Sequence, residues 1–212
     1  MASLTTLLTL ADSRLPTGGH VHSGGVEEAV TSGLVNDLAT LEAFLRRRIR
    51  TGGLVTASVG VAVQTGVLGV DSADLETDAR TPAPAARLAS RAQGRGLLRL
   101  ARRVWPDGAE WSALGRTPHL GVVAGLVGRV SALEPGHTAL SLVYTTMTGS
   151  ATAAQRLLAL DPADVAAVTF ALSEVCDRTA DEAQAGLADL SDPLLDVLAQ
   201  RHARRERPLF VS

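Results

Sequence analysis

The sequence predicts an all-α fold, a single domain over residues 1–212 arranged as a bundle of about eight to ten helices. Three observations point there. Hydrophobic residues make up 46% of the 212 positions and charged residues 20%, a globular balance. Aromatics are only 3%, so the core rests on Leu, Val and Ala, and small residues of this kind let helices approach closely. Helix-starting signals also punctuate the chain, with Asp37, the Asp161-Pro162 pair and Pro193 each placed at the head of a periodic stretch.

Taken in order, Leu4 to Ala11 predicts a short apolar helix. Asp12 to His22 holds Pro16, Gly18 and Gly19 and reads as a loop. Ser23 can cap a helix to about Gly33, with Glu27 and Glu28 near its positive end. Asp37 caps a second helix to about Arg50, which Gly52 and Gly53 are expected to end. Leu54 to Val67 predicts a buried helix, although Val55, Val59, Val61 and Val63 also suit a strand. Asp71 to Pro84 is the most polar stretch and reads as an exposed connection. Ala85 to Val104 predicts a long helix closed by Pro106, and Trp105 to Pro118 a turn-rich link. Leu120 to Leu133, Thr138 to Leu160 and Pro162 to Leu187 predict three more helices. Ser191 is expected to cap a last one reaching about Ala203, and residues 204–212 form a short tail.

Composition excludes several classes. The formal net charge is −2, which gives no footprint for nucleic acid or a membrane surface. No stretch of about 18 uninterrupted apolar residues exists, so no transmembrane helix is expected. The one cysteine, Cys176, has no intramolecular partner, in keeping with a reducing, cytoplasmic setting.

The loop Gly18-Gly19-His20-Val21-His22-Ser23-Gly24-Gly25 invites three chemical readings. Gly19 and Gly24 have the spacing of a phosphate loop, but Gly25 and Val26 stand where the motif needs Lys and Ser/Thr. Ser23 resembles the nucleophile of a G-x-S-x-G elbow, but Val21 occupies the first glycine position, and a helix cap explains the serine. A serine-dependent hydrolase at Ser23 remains the enzymatic alternative. His20 and His22 alternate as metal ligands on one face would, without further ligands in sequence; no metal or cofactor is expected.

Arg87, Arg91, Arg95, Arg99 and Arg103 recur every four residues on the long central helix, which holds no carboxylate. This ridge suits an acidic partner; its alternative is a helical nucleic-acid-binding regulator. Tyr144, followed by the small residues Gly149, Ser150 and Ala151, marks a candidate dimer face, with packing inside one subunit as the alternative. The chain ends on Leu209-Phe210-Val211-Ser212, an apolar tail that either packs on its own domain or orders on a partner.

Two segments carry a family resemblance. Asp12-Ser13-Arg14-Leu15-Pro16-Thr17-Gly18-Gly19 with His22-Ser23-Gly24-Gly25-Val26-Glu27 resembles the D-S-x-[LF]-P-x-G…S-x-G-[LV]-E opening of UreF proteins. Arg201-His202 and Leu209-Phe210-Val211-Ser212 resemble their Lys/Arg-His-Glu motif and Arg-Leu-Phe-x-Ser end, and Ser90, Gly94 and Leu97 to Leu100 look like their central helix. His20 replaces a usual aromatic, Ala203 the expected Glu, and Pro208 an arginine tied to docking the GTPase, with Arg207 adjacent. The resemblance implies a non-catalytic, dimeric, all-helical urease accessory protein. It would bridge UreD (also called UreH) and the GTPase UreG for nickel insertion into apo-urease, and order its tail on that complex. It marks Asp12, Ser13, Pro16, Gly18, His22, Ser23, Gly25 and Glu27 as motif or partner-surface residues, and Arg201, His202, Arg205, Arg207, Leu209, Phe210 and Ser212 as the C-terminal partner-binding set.

Overall fold

A computed structural model describes residues 4–108, 111–189 and 192–211, with only the backbone at His20. Among the described residues there are eleven α-helices and no strand. They are α1 (Leu4–Leu10), α2 (Val26–Thr31), α3 (Leu38–Arg48), α4 (Leu54–Thr65), α5 (Val70–Arg80), α6 (Pro84–Val104), α7 (Leu120–Val130), α8 (Pro135–Leu158), α9 (Pro162–Ala171), α10 (Ser173–Glu182) and α11 (Pro193–His202).

The centre of the bundle is α4, packed between α7 and α8. The helix alternative is the one adopted at Leu54–Thr65, because Val55, Val59 and Val63 are all buried on a segment surrounded by other helices. Glycine lets α4 and α7 touch at backbone level. A side-chain carbon at Gly125 would lie 2.4 Å from the carbonyl oxygen of Gly60, so even alanine would force the helices apart. One apolar cluster runs from Val26 through Leu41, Leu45, Val59, Leu126 and Val143 to Leu198, and Cys176 is buried in it beside Met147. Burial pushes the Cys176 thiol up to about 11, so it stays protonated and inert.

Four sequence expectations are corrected. The polar stretch after Asp71 is not an exposed connection but helix α5. Its Ala73 and Thr77 are buried, and both prolines of that stretch fall beyond its end, Pro84 at the first turn of α6. Gly52 and Gly53 do not stop α3. Gly53 has φ −63 and ψ −50, and residues Ile49–Gly53 form a π-helical turn leading directly into α4. The stretch Pro162 to Leu187 breaks in two at Leu172, whose N–H is shared between the carbonyls of Val168 and Thr169 at 3.2 Å each. The cap of α11 is Asp192, whose carboxylate accepts from Leu194 N–H at 2.7 Å; Ser191 lies outside the described residues. The cap of α3 is as expected, with Asp37 and Thr40 forming a reciprocal capping box.

Candidate functional site: the signature loop and the tail

The signature loop follows α1 and turns on glycine. Gly18, Gly24 and Gly25 have φ of 80, 64 and 89, a region closed to most side chains. The N-cap of α2 is Gly25, not Ser23 as expected, because the left-handed turn at Gly24 and Gly25 puts the helix start two residues past the serine. Ser23 is wholly buried, and its Oγ accepts from Glu27 N–H at 3.4 Å while its carbonyl accepts from Ser150 Oγ at 3.2 Å. A hydroxyl enclosed in this way braces the turn and is closed to substrate. Arg48, at the end of α3, donates to the Gly24 carbonyl at 2.7 Å, and burial lowers its guanidinium to about 10. Asp12 sits at the other end of the loop, where the backbone and guanidinium of Arg14 hold its carboxyl at about 2. Ser13 and Pro16 are exposed, and His22 is buried. The paired-histidine reading depends on the side chain of His20, which lies outside the described residues.

Glu27 closes the site. It stands on α2, is 2% exposed, and gathers three donors from the far end of the chain. His202 Nε2 lies 2.7 Å from Oε2, Leu209 N–H donates to Oε1 at 2.8 Å, and Phe210 N–H donates to Oε2 at 3.0 Å. Two neighbouring contacts extend the joint: Arg205 Nη1 donates to Glu28 Oε2 at 3.0 Å, and Val211 N–H to the Val21 carbonyl at 2.7 Å. Burial alone would raise the pKa of Glu27, but the bonds from Leu209, His202 and Phe210 outweigh it and hold the carboxyl below its ordinary value. The tail is thus tied down through its backbone. Phe210 packs on the core, while Leu209 and Val211 point outward at 79% and 68% exposure. Arg201 and Arg207 are exposed, and Ser212 lies outside the described residues.

A second polar network escaped the sequence reading. His119, fully buried at the start of α7, places Nε2 2.9 Å from Asp78 Oδ1 and Nδ1 3.0 Å from Ser90 Oγ. Asp74 accepts from His119 N–H at 3.0 Å, and Arg91 bridges Asp74 and Asp78 at 2.7 and 2.8 Å. Burial lowers the pKa of His119, so the ring is neutral: Nε2–H donates to Asp78, and Nδ1 accepts from the Ser90 hydroxyl. Asp74, Asp78 and His119 have the residue types of a cation site, with ligand atoms within 4.8 Å of one another. Arg91 already supplies the positive charge there, which makes the cluster a pin between α5, α6 and α7. The readable signal was Asp74 and Asp78 at i, i+4, visible once Val70–Arg80 is taken as a helix.

The same carboxylates neutralise part of the arginine ridge from outside its own helix, which holds none: Arg91 is paired, and Arg87 lies 3.9 Å from Asp78. Arg95, Arg99 and Arg103 are exposed. Tyr144, on α8, is 42% exposed, and no helix among the described residues is long and apolar enough to cross a membrane.

Fold and site together define a class: an all-helical protein built on one apolar core, whose opening loop and closing tail are locked to each other through a buried carboxylate. Comparison with known proteins names the family. The UreF family model matches residues 35–173. Curated relatives named "Urease accessory protein UreF" align with the whole chain over their own full length: 74% identical in Mycolicibacterium vanbaalenii, 73% in Mycobacterium bovis and 72% in Mycobacterium tuberculosis. The chain belongs to the UreF family. The loop and the tail lie outside the span of the family model and are covered by the full-length relatives.

Proposed function

We propose that this chain is a urease accessory protein acting in the cytoplasm as a non-catalytic scaffold, which holds UreD (UreH) and the GTPase UreG together so that nickel reaches apo-urease. It works as a homodimer, with Tyr144 on the shared face. The observation that carries the reading is the Glu27 joint in a member of the UreF family. The two segments that bear the family signature meet on one surface, and the joint uses the tail's backbone while leaving the side chains of Leu209 and Val211 to a partner. A scaffold needs such a surface: rigid backbone placement lowers the ordering cost of binding, and outward apolar side chains supply the contact. Partner binding completes the order of the tail that Glu27 begins, and Arg207 supplies the charge that Pro208 lacks.

The test is removal of residues 204–212, which leaves the buried His202–Glu27 contact in place. The shortened chain is expected to stay folded by circular dichroism, to lose at least one of UreD and UreG in pull-downs, and to fail in activating urease in a reconstituted system. A shortened chain that recruits both partners and supports full activation refutes the reading.

A further inference from the structure

Helix α6 carries Arg87, Arg91, Arg95, Arg99, Arg102 and Arg103 and no carboxylate. The fold compensates only part of this charge. Arg91 is paired with Asp74 and Asp78, Arg87 lies near Asp78, and Arg102 donates to the carbonyl of Trp111 at 3.1 Å. Among the described residues no carboxylate stands within ion-pair distance of Arg95, Arg99 or Arg103, and all three are exposed. At 3.6 residues per turn, Leu88, Arg95 and Arg99 fall within about 40° of one another around the axis. Leu88 is 70% exposed, an apolar side chain on the same stripe as the free guanidinium groups. The signature loop borders this face: a side-chain carbon on Gly96, next to Arg95, would meet the Thr17 carbonyl oxygen at 2.4 Å.

We propose that Leu88, Arg95, Arg99 and Arg103 form a docking face for an acidic protein surface with an apolar contact at its N-terminal end. The inference extends the scaffold reading and adds a site separate from the tail. Three cations with no carboxylate in ion-pair distance among the described residues raise the free energy of the isolated chain through mutual repulsion, and a facing set of carboxylates removes that cost while the planar guanidinium groups bond them in pairs. Two copies of this face would repel, so it does not serve symmetric self-association. The exposed leucine fits a protein surface better than a phosphate backbone.

The probe is a fluorescein-labelled helical peptide of Glu, Ala and Leu, about 20 residues long. The full-length protein is expected to bind it saturably, with affinity falling at least about tenfold as salt rises from about 0.05 to about 0.5 M. Arg95→Glu with Arg99→Glu is expected to weaken binding more than about tenfold at low salt, and Leu88→Ser severalfold, with unchanged circular dichroism because all three side chains are exposed. Equal peptide binding by the charge-reversed protein overturns the proposal, as does tighter binding of duplex DNA than of the peptide. A second arm measures UreD and UreG separately. Loss of one partner in the charge-reversed protein, with residues 204–212 intact, supports the face; retention of both at wild-type affinity overturns it as a partner site. If wild type binds neither partner but binds the peptide in the charge-dependent manner, the scaffold reading fails and the acidic-surface face stands.

Discussion

Glu27 Oε2 and His202 Nε2 lie 2.7 Å apart across 175 residues of sequence, both side chains almost wholly withdrawn from water. The pair fixes the end of the chain against its opening loop. The backbone N–H groups of Leu209 and Phe210 also donate to the carboxylate, so removing this one group strands several donors of the tail.

Glu27→Gln is therefore expected to cost about 1–3 kcal/mol, since the amide replaces an acceptor oxygen with a donor facing donors. Denaturant unfolding measures the cost, and limited trypsin digestion reads the release of the tail. Cleavage after Arg204 and Arg205 should quicken severalfold relative to wild type, Arg207 being shielded by the proline that follows it. Unchanged digestion would mean that Phe210 packing, the Arg205–Glu28 contact and the Val211–Val21 bond hold the tail without Glu27.

Acid should loosen the same joint. Glu27 has an ordinary pKa of 4.5 that is lowered in the fold, so its stabilisation is present above that pH and is lost as pH falls through the lower folded value. Between neutral pH and about pH 5 the tail should remain protected from trypsin, and the Glu27-dependent stability difference should shrink below that range.

His119 sets a different window. Its ordinary value of 6.5 is lowered in the fold by burial, so the unfolded chain takes up a proton before the folded one does. Stability is then full above 6.5 and falls as pH drops towards the folded value, with a slope of up to about 1.4 kcal/mol per unit. Urea midpoints between about pH 7.5 and about pH 5.5 should fall for wild type and stay flatter for His119→Gln, which does not titrate there.

Gly94→Ala tests the contact that seats α6 on the start of α7. The added carbon would lie 2.1 Å from the Pro118 carbonyl oxygen and 2.8 Å from the His119 carbonyl carbon, both backbone atoms with little freedom to yield. A loss of about 1–3 kcal/mol is expected, with a matching fall in thermal midpoint.

Tyr144→Asp addresses the proposed shared face. Tyr144 is 42% exposed on α8, so the substitution should leave the monomer folded while shifting sedimentation from dimer to monomer. A variant that sediments as wild type removes Tyr144 from the interface.

Helical class and most helix positions were legible because each rests on local chemistry. Asp37 caps its helix through Thr40 three residues on, Pro162 begins a helix behind Asp161, and the phosphate loop fails for want of a lysine, all within a few residues of sequence. Helix α5 was missed because its apolar face is narrow. Only Ala73 and Thr77 are buried, so tertiary contacts rather than periodicity stabilise it. With α5 went its carboxylates, and with them the neutralisation of Arg87 and Arg91.

By itself the sequence determined an all-helical chain with a small-residue core, the failure of each catalytic template at a named residue, and two end segments resembling the UreF family. Only the tertiary structure decided that those ends meet at Glu27, that Asp74, Asp78, Ser90, Arg91 and His119 form one pin, and that the arginine ridge divides into a paired half and an exposed half. The reason is physical. Caps and turns depend on groups a few bonds apart, whereas a buried carboxylate finds its donors only after packing has brought distant backbone within hydrogen-bond reach and removed the competing water.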